Sequence, residues 1–507
     1  MSTVIQGHDT ITRDALTVLH PGFDGLEPPQ WVLRRLDDGL TCVALFGRNV
    51  RDAEQVAALT ARLRSVRPEV IVATDEEGGD VTRLEVRTGS SFPGNLALGA
   101  VDDVDLTRAV ARELGRMLAE CGVTMDWAPS ADVNSDPDNP VIGVRSFGSG
   151  QELVARHTAA YVRGLHDSGV IACVKHFPGH GDTATDSHHA LPHIGVPLEV
   201  LRARELVPFR AAIDAGAKVV MSAHIVLSAL DPTLPATLSR PVLTGLLRGP
   251  VADGGLGFDG VVTTDALEMR AIAETYGMAR GAVMALSAGA DALCLGFNAD
   301  DELVVGLRDA IAAAVRSGEL AEERLAEAAS RVRGLAAWAS SRASAVEGAA
   351  LADPSAGAGS PVGLVAARRA LTVTGASGVT PFSAPVYVAS FTPVANMAAG
   401  DETPWGLVPE LARLLPGTVG GYFGPSSSGA EAVAAAGERP LVAVVRDVHR
   451  HPWMGEALAA VLSARPDAVV VEMGVPQASP LGALHIATRG ASRVCGVAAA
   501  EVIAGVR

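Results

Sequence analysis

The sequence predicts an α/β fold: a TIM-type (β/α)8-like barrel followed by a smaller α/β open-sheet domain. Three observations carry that expectation. Short apolar runs alternate with segments of helical period. Eight such runs fall ahead of a long helical stretch. Most of them end in an ionisable or hydrogen-bonding residue, as the catalytic face of a barrel requires.

The runs lie at 16–19, 42–46, 70–74, 124–128, 171–175, 218–223, 260–264 and 292–296. Between them, segments such as 52–66, 105–121, 151–168 and 199–215 place apolar residues at helical spacing. Short, almost wholly apolar strands separated by helices indicate a parallel sheet covered on both faces. A doubly wound open sheet is the structural rival, but no Gly-x-Gly-x-x-Gly follows an early strand. A helical stretch covers 300–341, and an Ala-, Gly-, Ser- and Pro-rich segment follows at 349–361. The division expected is a barrel over 1–345, a linker over 346–361 and an α/β domain over 362–507. In that second domain the strand-like runs are 371–373, 386–390, 441–445 and 468–471.

The chain has 507 residues and a formal net charge of -16, which argues against a nucleic-acid partner because a phosphate backbone would be repelled. Cys42, Cys121, Cys173, Cys294 and Cys495 are far apart in sequence and suggest neither a zinc pattern nor a disulfide framework. Three of them fall in strand-like runs, so buried thiols in a reducing compartment are expected. The N-terminal segment has no charged region followed by an apolar one, and no apolar stretch is long enough to span a bilayer. A cytoplasmic location is expected, with no membrane partner and no cofactor.

Candidate site residues come from the run ends. Asp75 ends IVATD, Lys175 and His176 end IACVKH, His224 ends VVMSAH and Asp265 ends VVTTD. Asp126 lies within its run, with Asn134 and Arg145 after it. Any one of these is ordinarily a solvated strand end; gathered on one face of one barrel they mark a site. The richest stretch is KHFPGHGDTATDSHHALP at 175–192, a glycine-rich loop leaving a strand. Metal ligation is one reading, though the spacing fits no standard zinc motif. A solvated loop with chance histidines is a second. The third is acid/base chemistry: Asp186 and His188 are two residues apart, and a carboxylate beside an imidazole orients the ring and raises its proton affinity.

At these residues the sequence resembles the bacterial β-N-acetylglucosaminidases of glycoside hydrolase family 3, the group typified by the cytoplasmic muropeptide-recycling enzyme. The motifs are KHFPGHGDT…DSH, ALFGRN, DEEGG, MDWAPSADVN, GVRSFG, MSAHIV, PATLS and FDGVVTTDALEM, in order over residues 16–290. The resemblance implies a retaining, exo-acting β-N-acetylhexosaminidase working through a covalent glycosyl-aspartate. It implies Asp265 as nucleophile, His188 as acid/base and Asp186 as its supporting carboxylate. Asp75, Arg83, Arg145, Lys175 and His176 match positions that grip the sugar's hydroxyls and N-acetyl group. A carboxylate below an oxocarbenium-like centre and an acid above it are what retaining hydrolysis needs; here a histidine takes the place of the second carboxylic acid.

Two departures stand out. The family commonly reads DQEGG followed by arginine, whereas this chain reads DEEGG followed by Asp80, which is expected to alter the rim that meets the aglycone. Ala266 removes an acidic or hydroxyl neighbour of Asp265. Other functions stay open on sequence grounds. A phosphorylase would use the same residues with phosphate in place of water. A β-glucosidase of the family would take an acid from the second domain, where Glu472 is the residue that stands out. A catalytically dead sugar-binding regulator would be expected to lose Asp265 or His188, and both are present.

Overall fold

The computed structural model describes residues 2–183, 191–296, 298–350, 361–375, 381–393 and 402–506. Among them, eight parallel strands form the first unit: β1 (Leu19–His20), β2 (Cys42–Ala44), β3 (Ile71–Thr74), β4 (Met125–Asp126), β5 (Ile171–Phe177), β6 (Val219–Ser222), β7 (Val261–Thr264) and β8 (Leu293–Cys294). Continuous ladders join β2 through β7 in order, and β8 pairs with β1. Two single bridges complete the circle. Gly22 pairs with Ala44, with Ala44 N donating to Pro21 O at 2.9 Å, and Thr263 pairs with Ala292, with Thr264 N donating to Ala292 O at 3.0 Å. The expected barrel is thus present and has no open edge.

Strand period explains how it is filled. Cys42, Ala44, Ile71, Ala73, Met125, Ile171, Cys173, Val219, Met221 and Val261 point inward and pack together, while Val43, Val72, Ala172, Val174, Val220 and Val262 point out toward the helices. The surrounding helices follow the usual end signals. The helix Val104–Glu120, for example, starts at Asp103, whose carboxylate accepts from Leu106 N at 3.0 Å, and buries Thr107, Val110, Ala111, Leu114 and Leu118 on one face. The helix Glu322–Ala350 presents Val332, Leu335, Ala336 and Ala339 to the inward-facing cluster and closes the barrel floor.

The second sheet has β9 (Thr372–Gly375), β10 (Tyr387–Phe391), β11 (Val419–Phe423), β12 (Leu441–Val445), β13 (Val469–Glu472) and β14 (Leu484–Ala487), in the order β9-β14-β13-β12-β10-β11. Only β9, at one edge, runs antiparallel. Its two layers of buried side chains, one on each face, make the expected open α/β sheet.

Several boundaries differ from expectation. The first run, 16–19, is half helix: Ser2–Thr17 is helical and buries Ala15 and Leu16, leaving a two-residue strand. Strands β11 and β14 carry no long apolar run. The former is Val-Gly-Gly-Tyr-Phe at an exposed edge, and the latter is short with His485 inside it. A small three-stranded sheet (His193–Ile194, Val226–Leu227, Asp231–Pro235) was invisible for the same reason, being short and proline-bounded. The floor helix runs on to residue 350, past the expected linker start, and 351–360 lie outside the described residues.

Asp291 anchors barrel closure. It has no solvent exposure, accepts from Val262 N at 2.9 Å and meets the guanidinium groups of Arg248, Arg324 and Arg331. Replacing it with alanine leaves three arginines without their shared counter-ion. Asp291→Ala is expected to cost about 3–5 kcal/mol, read as a lowered urea midpoint with an unchanged slope.

Candidate active site

Inward phase continues past the strand ends and decides which side chains reach the mouth. From Cys42 and Ala44 the next inward position is Phe46; from Ile71 and Ala73 it is Asp75, then Glu77; from Met125 it is Trp127; from Ile171 and Cys173 it is Lys175; from Val261 and Thr263 it is Asp265. All six line one cleft of about 170 Å³ at the carboxyl ends of the strands, where barrel catalytic sites lie. Arg83, Arg145, His176 and His180 line it from the connecting loops and the end of β5.

Charge is concentrated on one wall. Glu77 is buried between two cations: Arg145 binds it in bidentate fashion, Nη2 to Oε1 at 2.7 Å and Nε to Oε2 at 2.9 Å, and Lys175 Nζ lies 2.8 Å from Oε1. Lys175 also donates to Asp75 Oδ1 at 2.6 Å. Burial alone would push the Glu77 carboxyl up, but Arg145 and Lys175 outweigh it and hold it far below the usual range. Burial alone would likewise lower the pKa of Lys175; Asp75 and Glu77 outweigh it and raise the ammonium above its ordinary value. Both groups are charged throughout the physiological range.

A second buried carboxylate organises the segment that leaves β5. Asp132 Oδ2 lies 2.7 Å from His176 Nδ1, which donates to it, and Oδ1 accepts from His180 N at 2.6 Å. Burial opposes ionisation of Asp132, and His176 and His180 override that, holding it low. His180 is itself pushed down to about 4, chiefly by burial. Further along, Arg204 Nη2 donates to Asp182 Oδ2 at 2.7 Å. The segment 176–183 is therefore fixed at several points as it leaves the mouth. Opposite, Asp265 Oδ1 accepts from Ala266 N at 2.8 Å, and His224 Nε2 donates to Ala266 O at 3.0 Å, bracing the turn that carries Asp265.

Of the residues expected at the site, Asp75, Arg83, Arg145, Lys175, His176 and Asp265 are brought together around the cleft. Asp186 and His188 lie outside the described residues. Asn134 and Asp126 are buried behind the wall: the first accepts from Gly143 N at 3.1 Å and the second from Glu76 N at 2.9 Å. Glu77, Asp132, Trp127 and Glu268 were not singled out from sequence. Glu77 and Trp127 carried a usable signal, since each continues an inward strand phase. Asp132 carried none; its two histidine partners lie 44 and 48 residues away. Glu472 is structural: buried under the second sheet's loops, it accepts from the N–H groups of Asp447, Val448 and Gly474. The expectation for Asp80 is corrected. Its side chain is only 5% exposed and faces Arg446 of the second domain, because it sits at the tip of a Gly78–Gly79 turn directed away from the cleft.

With this geometry in hand, comparison with known proteins is decisive for the family. The profile of the glycosyl hydrolase family 3 N terminal domain matches residues 33–335. The chain belongs to glycosyl hydrolase family 3. A solved family 3 β-N-acetylglucosaminidase from Paenibacillus sp. str. FPU-7 is 35% identical and superposes with a TM-score of 0.85, covering 97% of this chain and 96% of that one. Beta-hexosaminidase A of Pseudoalteromonas piscicida is 33% identical over 346 residues, 63% of this chain and 56% of that protein. Beta-hexosaminidase LpqI of Mycobacterium tuberculosis is 38% identical over 253 residues, 49% of this chain and 63% of that protein. The chain thus spans less than two thirds of the length of these curated relatives.

Glu76, the acid in place of the family's usual glutamine, has a distinct physical signature. It is fully buried; its Oε2 accepts from Thr82 Oγ1 (3.0 Å), Arg83 N (2.8 Å) and Leu84 N (2.9 Å). Burial pushes its carboxyl up to about 7 despite those three donors. A folded-state value above the unfolded one means that the folded protein holds the proton more tightly, so stability falls as pH rises from about 4.5 to about 7 and stays lower beyond. Glutamine keeps the accepting oxygen and cannot ionise. Glu76→Gln is expected to gain on the order of 1–3 kcal/mol over wild type at pH 8 and nothing at pH 4, as read by chemical denaturation at the two pH values.

Proposed function

We propose that the protein is a retaining, exo-acting β-N-acetylglucosaminidase that releases terminal β-linked N-acetylglucosamine through a glycosyl-Asp265 intermediate. The observation that carries this is the placement of Asp265 in the same small cleft as the Asp75–Lys175–Glu77–Arg145 cluster. In this reading one sugar ring lies between them, and charged donors and acceptors hold its hydroxyls and acetamido group by charge-assisted hydrogen bonds. The carboxylate at the end of β7 then reaches the anomeric carbon. Support also comes from the names of the relatives, which are beta-hexosaminidases and a β-N-acetylglucosaminidase.

In this reading the carboxylate of Asp265 attacks the anomeric carbon as the glycosidic oxygen leaves. His188, oriented by Asp186, gives its proton to that oxygen. The imidazole then takes a proton from water, which attacks the same carbon and frees Asp265 with net retention. The segment 176–183, which precedes this pair in sequence, is anchored at the mouth of the barrel. Arg83 and His176 complete the grip on the sugar. A cytoplasmic setting and substrates derived from cell-wall turnover belong to the same proposal; the five buried, unpaired cysteines suit a reducing compartment. No helix among the described residues is long and apolar enough to cross a membrane.

The test is product analysis with an aryl β-N-acetylglucosaminide, with and without inorganic phosphate, for wild type and Asp265→Ala. The expected result is free N-acetylglucosamine of retained configuration in both conditions, and a loss of at least about 10⁴-fold in kcat for the folded variant. Turnover by Asp265→Ala at near wild-type rate would remove the nucleophile, and a sugar 1-phosphate rising with phosphate would replace hydrolysis with phosphorolysis.

A further inference from the structure

The turn at 77–81 has one side in the cleft and the other in the second domain. Glu77 N donates to Val81 O at 3.0 Å, so these two cleft-lining residues are tied across the turn. Gly78 and Gly79 form its bend with φ of +68° and +65°. Gly79 is wedged against Gly94: a Cβ there would meet Gly94 Cα at 2.5 Å. Asp80 at the tip thus lies between two cleft-lining residues, Glu77 and Val81, that are bonded to each other across the turn. Its carboxylate accepts from the Arg446 guanidinium and, at 2.7 Å, from Ala491 N. Arg446 in turn lies over the Trp405 ring, 5.3 Å from its centroid.

We propose that the Arg446–Asp80 pair makes the second domain a positioning element for the sugar-binding wall of the barrel. Arg446 is the first residue after β12, and Ala491 lies shortly after β14, so both stand at carboxyl ends of parallel strands of the second sheet. Loops there meet the barrel at other points along the same rim. Arg493 Nε donates to Gly89 O at 3.2 Å, Val494 N to Ser90 O at 3.2 Å, and His449 Nε2 to Pro137 O at 2.9 Å. Those contacts hold the domains together, whereas the Asp80 contact holds a turn whose other side carries Glu77, the counter-ion of both Lys175 and Arg145. Arg446 touches no substrate in this scheme; it acts through Asp80. Loss of its charge leaves a nearly buried carboxylate with one N–H partner, a state relieved by moving the turn.

The kinetic part of this inference rests on the proposed glycosidase activity, so the test has an arm that does not. Arg446→Ala, Arg446→Gln and Arg446→Lys would be assayed on an aryl β-N-acetylglucosaminide well below each variant's unfolding midpoint, and amide hydrogen exchange followed over 75–84 and, as a control, over 261–296. The alanine variant is expected to raise KM about tenfold with kcat within about threefold, because ground-state grip on the sugar is lost. Lysine is expected to recover most of that. Exchange is expected to quicken over 75–84 and not over 261–296. A lowered unfolding midpoint with KM within twofold of wild type would overturn the positioning role and leave Arg446 purely structural. Unchanged exchange over 75–84 in the alanine variant, or in the glutamine variant if alanine does not fold, would overturn it as well. Should wild type fail to turn over the glycoside, the functional reading falls and the exchange arm alone decides this proposal.

Discussion

Burial of Glu77 between Lys175 and Arg145 is the constraint on which the site depends. Two cations at the mouth of a barrel lined by alanine, cysteine and isoleucine would be expensive to desolvate alone. Glu77 and Asp75 supply the compensating charge, and the bidentate geometry with Arg145 satisfies two carboxylate oxygens at once. The result is a wall in which Glu77, Lys175 and Arg145 stay charged near neutral pH. Donors and acceptors on that wall are already oriented, and Asp265 lines the same cleft; in the proposed glycosidase this is where charge at the anomeric carbon would be met.

Placement of that wall follows from strand geometry alone. Each barrel strand alternates lumen and helix sides, and the alternation carries on for one to three residues past the last ladder bond. Ile71, Ala73, Asp75 and Glu77 are successive members of one row; Ile171, Cys173 and Lys175 are another. Apolar members fill the lumen and polar members begin where the lumen opens. This is why Asp75, Lys175 and Asp265 were legible from run ends in the sequence, and why Glu77 and Trp127 could have been. The barrel itself was legible for the same reason: β2 through β8 are short and nearly all apolar.

What could not be read depended on contacts set by folding rather than by local pattern. Asp132 sits in an irregular segment between β4 and the helix Gln151–Asp167, and its role exists only because β5 returns beside it to offer His176. Strands β11 and β14 owe their place to neighbours in the sheet, since Gly420 and Gly421 contribute no side chain and His485 interrupts the only apolar run. Such elements are recruited by backbone hydrogen bonding once the central strands exist.

Asp80 shows the same limit in its sharpest form. The substitution of an acid for the family's usual arginine is visible in the sequence, and alternation from Ile71 gives no guide to it because the chain reverses at Gly78 and Gly79. A carboxylate at that tip, almost out of solvent, needs a cation, and none of the barrel's own arginines supplies it; Arg446, 366 residues further along the chain, does. The two positions are physically one feature. Asp80 without Arg446 would be an uncompensated buried charge at the rim of the cleft, and Arg446 without Asp80 would be a guanidinium left, among the described residues, against the face of Trp405. The pair thus ties the turn that carries Glu77 to a sheet that, among the described residues, contributes no side chain to the cleft lining.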